Sequence, residues 1–318
     1  MVEHSESAGC PFGERLLRAV LDRRTPAIVG LDPRANELPG VLRHELQNGS
    51  HLNTARLYQK FCCEVLDVVG PLVPAVKPQA AFFEELGPPG MAALQEVIRY
   101  ARHLGLLVIL DAKRGDIGST AKAYARAYLV PDAPFAADAL TVNPYLGPQT
   151  WQPFIEEGCA AGNGIFVLVK TSNPDSGVFQ DACLRQGKAV YQLVAEAVQQ
   201  SAERTRGPFR YGSVGAVVGA TYPQQLAELR QAMPAAWILI PGYGAQGGTA
   251  QDVAAGFQED GTGALVNAAR HVLFAYQRSP YREKYGEMDW QRAVENAVRD
   301  MIEDLAAGTP ARRLRSTP

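Results

Sequence analysis

The sequence predicts an α/β protein that folds as a single-domain (β/α)8 TIM barrel with helical extensions at both ends. Short apolar runs alternate with helical patterns along the chain, which is typical of parallel βα units. Eight such runs can be counted, as a closed barrel needs, and 318 residues lie in the usual length range for this fold. No Gly-x-Gly-x-x-Gly motif follows the first run, so an open dinucleotide-binding sheet is the less favoured alternative.

Each predicted strand is a short apolar segment, and the eight lie at residues 27–31, 73–76, 106–110, 139–142, 165–169, 214–218, 237–240 and 263–266. The clearest helical patterns between them cover residues 54–69, 91–104, 119–128, 188–205 and 223–232. In the first of these helices Leu57, Phe61 and Val65 recur one turn apart, which gives the helix an apolar stripe to place against the sheet.

We expect one domain over residues 1–318, because no linker-like segment interrupts the alternation. The barrel core is predicted at about residues 25–276, with a polar insertion at 34–52 after the first strand. A C-terminal helical extension is predicted at 277–308, and the tail at 309–318 is expected to be flexible.

The composition argues against several classes of function. With 47% hydrophobic residues the chain can bury a substantial core, while a net charge of −2 without a basic stretch argues against nucleic acid and anionic membranes as partners. No segment approaches the roughly 18 apolar residues of a membrane span, and the acidic N-terminus lacks the features of a secretory signal. The five cysteines include no Cys-x-x-Cys pair, so we expect free thiols and a cytoplasmic location.

Polar residues stand where most of the predicted strands end, and in such a barrel the carboxyl ends of the strands form the active-site face. Any one of them could be a strand cap or a turn residue, but together they predict a ring of polar groups around one mouth. The ring consists of Asp32, Lys77, Asp111, Lys113, Asn143, Lys170, Thr171, Ser172 and Asn267, while the seventh strand ends in Pro241 and Gly242.

The densest cluster of charges follows the third strand. Strand side chains alternate, so Asp111 and Lys113 share one face and can both enter the barrel. Gly115 permits a tight turn that carries Asp116 away, either toward a neighbouring subunit or back over the site. Two carboxylates near Lys113 would keep it charged, which favours a proton donor over a Schiff-base lysine. A purely structural ion-pair network is the alternative.

A second constellation indicates a phosphate site. A glycine-rich loop leaves the seventh strand at 241–248, and Arg270 stands at the start of the helix that follows the eighth strand. The loops after strands seven and eight, with a helix N-terminus, form the recurrent phosphate site of these barrels. Gln246 is placed to reach the ligand, and the backbone amides of Gly247 and Gly248 offer further contacts.

The run Asp111-Ala112-Lys113-Arg114-Gly115-Asp116-Ile117 resembles the signature of orotidine 5'-phosphate decarboxylases in their longer bacterial form. The likeness continues at residues 30–34, 76–79, 141–145, 171–174 and 241–248, in order along the chain. The resemblance implies conversion of orotidine 5'-phosphate, a small-molecule substrate, to UMP and carbon dioxide in pyrimidine biosynthesis. It implies no metal and no organic cofactor.

The resemblance also implies a role for each matched residue. Lys113 would protonate the C6 carbanion, Asp111 would lie beside the departing carboxylate, and Lys77 would complete the charge array. Asp116 and Thr120 would come from the partner subunit, which implies a homodimer with shared active sites. The other implied substrate contacts are Asp32 to the ribose, Ser172 to the base, Gln246 between base and phosphate, and Arg270 to the phosphate. Asn143, Pro241, Gly247 and Gly248 are further predicted substrate-binding residues.

Two other functions compete with this interpretation. A magnesium-dependent sugar-phosphate decarboxylase or aldolase of the same superfamily shares the Asp-x-Lys-x-x-Asp spacing. It would need an acidic ligand such as a glutamate on the second strand, where this chain has Lys77. A catalytically silent phosphate-binding barrel is the other alternative, and the intact Asp-Lys-Asp array argues against it, because desolvated charges are costly to retain.

Overall fold

The computed structural model describes residues 10–45, 49–185, 187–244 and 247–315, and it is a closed parallel barrel. Each strand pairs with its neighbour in sequence, and β1 pairs with β8 to close the ring. The predicted fold class is therefore confirmed. The strands are β1 Ala27–Leu31, β2 Ala75–Pro78, β3 Leu107–Arg114, β4 Ala139–Val142, β5 Gly164–Lys170, β6 Val214–Val218, β7 Ile238–Pro241 and β8 Ala264–Ala268.

Helices surround the barrel, and the longer ones each bury an apolar face against it. They are α1 Phe12–Arg23, α2 Gly40–Arg43, α3 His51–Val69, α4 Ala81–Glu84, α5 Pro88–His103, α6 Gly118–Tyr128, α7 Gln152–Ala160, α8 Gly177–Gln180, α9 Val190–Arg206, α10 Pro223–Ala232, α11 Ala250–Val253, α12 Arg270–Leu273, α13 Tyr281–Tyr285 and α14 Trp290–Gly308. Within the described ranges, no helix combines the length and the apolarity needed to cross a membrane.

The strand boundaries agree closely with the prediction, with one instructive exception. β1, β4 and β6 begin and end at the predicted residues. β3 was predicted to end at Leu110, but it continues through Asp111 and Lys113 to Arg114. The pairing with β4 shifts register between Leu110 and Arg114, so the chain stays in the sheet through an irregular segment. Asp111 and Lys113 therefore belong to a strand rather than to a loop.

The N-terminal helix α1 closes the end of the barrel where the strands begin. Phe12 packs edge-to-face on Phe166 of β5, with 5.9 Å between ring centroids. The Trp237 indole Nε1 donates a hydrogen bond to the Gly13 carbonyl at 2.9 Å. Arg15 lies 2.5 Å from Asp138, which also accepts a hydrogen bond from a β3 backbone amide. The polar strand ends lie at the opposite face.

The C-terminal helix α14 completes the outer layer of helices. It packs against α3, α11 and β1, and so covers the outside of the barrel next to the place where β1 pairs with β8. Trp290 at its start is 1% exposed and lies 5.1 Å from the Phe61 ring of α3, between centroids. The extension is thus part of the helical layer, and its first turn is anchored by an aromatic cluster.

The chain after α14 differs from the expectation of a flexible tail. Pro310–Arg315 form a 3-10 helix in which Ala311 and Leu314 are each 2% exposed. Arg315 pairs with Glu303 of α14 at 2.7 Å. Two buried apolar side chains and an ion pair hold residues 309–315 against the body of the protein, and residues 316–318 lie outside the described ranges.

The insertion at 34–52 packs on the C-terminal extension. A short 3-10 helix, Ala35–Glu37, and α2 lie there, with Leu38 and Leu42 buried. The Tyr276 hydroxyl donates to the Glu37 carbonyl, and the Gly40 amide donates to Glu287 at 2.8 Å. The two segments outside the βα repeat therefore support each other.

A substitution at Trp290 tests whether α14 is an integral part of the fold. We expect Trp290→Ala to lower the free energy of unfolding by about 3–5 kcal/mol, the usual cost of removing a large buried aromatic side chain. Urea denaturation would measure the loss. Met288→Ala is the matched control, because Met288 is 77% exposed and only two residues away. A loss at Trp290 no larger than the loss at Met288 would contradict this role.

Candidate active site

Six of the predicted site residues line one cavity at the carboxyl ends of the strands. Its volume is about 820 Å³, and it opens at the face opposite α1. The sequence-predicted residues that line it are Lys77, Asp111, Lys113, Asn143, Ser172 and Pro241. Apolar side chains of β5, β6 and α9 form much of the remaining wall, among them Leu168, Val217 and Val194. The cavity combines a charged end with an apolar body, as a site for a flat polar ring requires.

The carboxylate of Asp111 organises the charged end. Its Oδ1 accepts hydrogen bonds from the Lys113 ammonium at 2.6 Å and from the Thr141 hydroxyl at 3.0 Å. Its Oδ2 accepts from the Lys77 ammonium at 2.8 Å and from the Gln79 amide at 3.1 Å. These four bonds match the accepting capacity of an ionised carboxylate. The sequence led us to expect two carboxylates around one lysine, and the chain instead places one carboxylate between two lysines.

The ion pairs set the protonation states of this cluster. Burial opposes ionisation of Asp111, but Lys77 and Lys113 hold the pKa of that carboxyl well below its usual range. Burial by itself would lower the pKa of Lys77, yet the charges of Asp111 and Asp32 raise it above its ordinary value. Asp111 is therefore ionised and Lys77 protonated at neutral pH.

Asp32 lies on the other side of the cluster. It lines an adjoining depression of about 360 Å³ that also includes Gln79 and Lys113. Its Oδ1 is buried and has no hydrogen-bond partner among the described residues. Burial raises the pKa of Asp32, although the nearby Lys77 opposes this rise. A buried carboxylate oxygen with free capacity is suited to accept a hydrogen bond from a ligand hydroxyl.

An unusual backbone conformation carries Lys113 into the cavity. Lys113 has φ of +49°, in the left-handed region that non-glycine residues rarely adopt. We expected the turn after the strand at Gly115, but Gly115 does not have a positive φ, and the left-handed residues of this segment are Lys113 and Gly118. The irregular pairing of β3 with β4 is the structural reason, because it turns the chain before Gly115 is reached.

Thr141 holds this strained segment in place, and the sequence analysis gave it no role. Its Oγ1 accepts hydrogen bonds from the backbone amides of Ala112 at 3.1 Å and Lys113 at 2.9 Å, while its proton goes to Asp111. Gln79 was missed in the same way. Thr141 lies two residues before the predicted site residue Asn143, and Gln79 lies two residues after Lys77. Each pair spans the end of a strand, so strand alternation could have identified Thr141 and Gln79.

Asp116 and Thr120 do not enter the cavity of their own chain. The Asp116 carboxylate accepts a hydrogen bond from the Ile117 amide at 2.8 Å, which is its one side-chain hydrogen bond among the described residues. Thr120 is exposed on α6. Neither of the two residues that the resemblance assigns to a partner subunit is therefore among the described residues that line the cavity.

The predicted phosphate elements meet at one edge of the mouth. Gly247 and Gly248 donate their amides within the glycine loop, to Gly244 at 3.0 Å and Gly242 at 3.3 Å. Arg270 is the first residue of α12 and is exposed. Gln246 lies outside the described residues.

The C-terminal extension contacts both phosphate elements. Tyr243 is buried at the start of the loop, and its hydroxyl donates to Asp304 of α14 at 2.5 Å. Gly244 packs against the His271 ring, where a Cβ would lie 2.6 Å from a ring carbon. Arg278 donates to the His271 carbonyl at 2.6 Å. The helix α14 and the segment before it thus support the loop and α12 from outside.

Comparison with known proteins agrees with this geometry. The family model described as "Orotidine 5'-phosphate decarboxylase / HUMPS family" matches residues 25–283. Curated proteins named orotidine 5'-phosphate decarboxylase are 51% identical over 298 residues in Rhodopirellula baltica, and 47% identical over 265 residues in Deinococcus radiodurans. The first alignment covers 92% of this chain and 98% of the relative, and the second covers 83% and 89%.

A solved structure extends the likeness to the fold. The crystal structure of a candidate orotidine 5'-phosphate decarboxylase from Streptomyces avermitilis superposes with a TM-score of 0.77 at 35% sequence identity. The superposition covers 97% of this chain and 99% of that one. The family model, the close relatives and the barrel geometry agree, and this chain belongs to the orotidine 5'-phosphate decarboxylase family of carboxy-lyases.

Proposed function

We propose that the cavity decarboxylates orotidine 5'-phosphate to UMP and carbon dioxide, with Lys113 as the proton donor. The observation that carries this proposal is the placement of Lys113. Its ammonium is 2.6 Å from the buried Asp111 carboxylate, while 47% of its side chain is exposed at the mouth of the barrel. A lysine fixed by one buried carboxylate and open to a ligand cavity is a positioned general acid.

The reaction then proceeds in two events at C6 of the pyrimidine. The bond between C6 and the carboxylate breaks, carbon dioxide leaves, and the electron pair remains on C6. Lys113 transfers a proton from Nζ to C6 and is reprotonated from solvent, to which it is open. The fixed ammonium stabilises negative charge as it develops on C6, and it needs no reorganisation to do so.

Asp111, Lys77 and Asp32 prepare the site for this step. Asp111 stays ionised and holds the Lys113 ammonium next to C6. Its own charge lies near the substrate carboxylate, and loss of carbon dioxide relieves that repulsion. We assign the Asp32 Oδ1, which has no hydrogen-bond partner among the described residues, to a ribose hydroxyl. Lys77, which binds Asp111, lies beside it.

The rest of the substrate extends from this charged end across the mouth. Asn143, Ser172 and Pro241 line the wall of the cavity and are assigned to the pyrimidine. Arg270 is assigned to the phosphate, because its exposed guanidinium can bind two phosphate oxygens at once. The remaining assignments at the phosphate are Gln246, Gly247 and Gly248, where the glycines leave room for a close approach.

A homodimer with shared active sites is part of the proposal. Asp116 and Thr120 are not among the described residues that line their own cavity, and three large apolar side chains nearby are exposed. Ile117 is 63% exposed, Tyr145 84% and Leu146 52%, and the two segments that carry them adjoin where the Asn143 amide donates to the Arg114 carbonyl. Such a group of exposed apolar side chains is typical of a surface that binds another protein. A second copy of the chain would cover it and receive Asp116.

The second strand argues against the alternative function, a magnesium-dependent sugar-phosphate decarboxylase or aldolase. Lys77 stands where that enzyme would place an acidic ligand, and it is 4% exposed and bound to Asp111. A buried ammonium at this position would repel a divalent cation.

The five cysteines are free thiols, and this supports the proposed cytoplasmic location.

Substitution of Lys113 is the main test of the proposed reaction. We expect Lys113→Ala to lower kcat at least about 10²–10⁴-fold, the usual contribution of a positioned general acid. Steady-state loss of orotidine 5'-phosphate absorbance, measured in EDTA, would follow the reaction. Lys122→Ala is the matched control, because Lys122 lies on α6, is 48% exposed and pairs with Glu157 away from the cavity.

Two outcomes would contradict this assignment. If Lys113→Ala kept more than about a tenth of the wild-type kcat, a different group would be the proton donor. If the wild-type enzyme lost activity in EDTA and recovered it with Mg²⁺, the sugar-phosphate rival would be favoured instead.

Thr141 provides a second test, directed at the geometry that presents Lys113. We expect Thr141→Val to lower kcat roughly tenfold or more, because the isosteric valine leaves two partly buried amides and one carboxylate lone pair without their partner, at up to about 1–3 kcal/mol each. Thr141→Ser keeps the hydroxyl and should retain most of the activity. Equal kcat values for the valine and serine variants would show that the hydroxyl does not matter.

Complementation between two inactive chains tests the shared site. Lys113→Ala and Asp116→Ala should each be nearly inactive alone. In a mixed dimer one cavity carries both substitutions and the other carries neither, so an equimolar refolded mixture should recover roughly a quarter of wild-type activity. Native mass spectrometry would verify subunit exchange. If exchange occurs and activity stays at the level of the parents, Asp116 serves its own chain.

A further inference from the structure

Lys170, at the end of β5, is a charged residue that the proposed reaction does not use. It is 0% exposed, although it lies at the carboxyl end of β5, near the mouth of the barrel, and directly precedes Thr171 and Ser172. Burial of an ammonium group costs several kcal/mol unless partners compensate for the lost water. The partners of Lys170 should therefore reveal what this charge is for.

Those partners come from three different segments. The Lys170 ammonium lies 2.7 Å from the Asp181 carboxylate, which belongs to the segment after β5. It also lies over the ring of Tyr222 at 4.5 Å and within 5.9 Å of the ring of Tyr191, from the segments after β6 and at the start of α9. A carboxylate and two aromatic faces form a complete binding site for an ammonium group.

We propose that Lys170 is a positioning residue: by binding Asp181 it fixes residues 171–181, called here the β5 loop, so that Ser172 lines the substrate cavity. This inference rests on the proposed contact between Ser172 and the pyrimidine. Lys170 itself does not line the cavity among the described residues. It acts on the substrate through the loop.

The hydrogen bonds of the β5 loop show how the two ends are joined. The Thr171 amide donates to the Gln180 side chain at 3.0 Å, and the Gln180 amide group returns a bond to the Thr171 hydroxyl at 2.8 Å. Asp181 follows directly and binds Lys170, the residue before Thr171. The chain therefore leaves β5 and returns to it within twelve residues, from Lys170 to Asp181. Lys170 and Asp181 close this circuit.

Close packing inside the circuit leaves Ser172 little freedom. A Cβ on Gly219, at the end of β6, would lie 2.8 Å from the Cβ of Ser172, so the serine is pressed against the neighbouring strand. The Gly219 amide donates to the Lys170 carbonyl at 2.7 Å. At the far end of the loop, a Cβ on Gly177 would lie 2.8 Å from the Asp181 carboxylate. Movement of Asp181 would therefore displace Gly177 of α8 and, through the β5 loop, Ser172.

The first experiment removes the charge and asks where the loss falls. Lys170→Met keeps the length of the side chain, and we expect kcat/KM for orotidine 5'-phosphate to fall roughly tenfold, the scale of one hydrogen bond to a charged group. Lys188→Met is the matched control. Lys188 ends the same connection before α9 and pairs with Glu196 at 2.5 Å, but half of its side chain is exposed.

A double-variant cycle with Ser172→Ala separates positioning from a general structural role. If Lys170 acts through Ser172, adding Lys170→Met to Ser172→Ala should change kcat/KM by less than about twofold, because residues that act as a unit are not additive. Chymotrypsin cleavage after Phe179, which is 72% exposed on the β5 loop, should be faster in Lys170→Met under native conditions. Should Lys170→Met fail to fold, Asp181→Asn probes the same pair from its exposed side.

Each outcome has a definite meaning. A tenfold loss for Lys170→Met that disappears in the Ser172→Ala background, with Lys188→Met unchanged, supports the inference. A loss of equal size in both backgrounds, or none in either, overturns it and leaves the proposed reaction intact. A Ser172→Ala enzyme with wild-type kcat/KM overturns the assignment of Ser172 and this inference together. A wild-type protein that does not decarboxylate orotidine 5'-phosphate overturns the proposed function itself.

Discussion

The contact of the Asp111 carboxylate with two lysine ammonium groups is the interaction on which the rest of the site depends. Burial of the Asp111 carboxylate and the Lys77 ammonium is costly, and removal of one partner from such a pair typically costs about 3–5 kcal/mol, because it leaves an uncompensated charge. The barrel provides the compensation from adjacent strands: Lys77 from β2, Gln79 just after β2, and Thr141 from β4. Because all four acceptor positions of Asp111 are filled, Lys113 has a fixed position at the mouth.

The backbone near Lys113 follows from the same constraint. A regular strand would carry residue 113 onward along the sheet, whereas the left-handed conformation of Lys113 turns the chain while its ammonium stays on Asp111. Backbone strain of this kind costs about 1–3 kcal/mol and persists only where neighbouring groups enforce it. Thr141 is such a neighbour, since one hydroxyl group binds the strained backbone and the carboxylate together. The position of the Lys113 ammonium and the strained backbone of Lys113 therefore depend on the same hydrogen bonds of Thr141.

Local patterns in the sequence were sufficient to predict most of the barrel and its charged centre. Alternation along strands brought Asp111 and Lys113 to one face, and the same rule applied to Lys77 and Asn143 would also have identified Gln79 and Thr141. The register shift beside Lys113 could not be predicted, because it depends on how β3 pairs with β4. The pairing of Lys170 with Asp181 could not be predicted either, because the fold of the connecting loop decides which acidic residue the lysine contacts.

The segments outside the βα repeat show the same limit and explain why this form of the barrel is long. Periodicity located the helix of the C-terminal extension but gave no reason for its presence. Its contacts supply one: Asp304 binds Tyr243 at the start of the glycine loop, and Arg278 holds the carbonyl of His271, the residue after Arg270. These contacts reach the loop after β7 and the short helix after β8. The extension supports both from outside, so a site built on short segments can still have a defined shape.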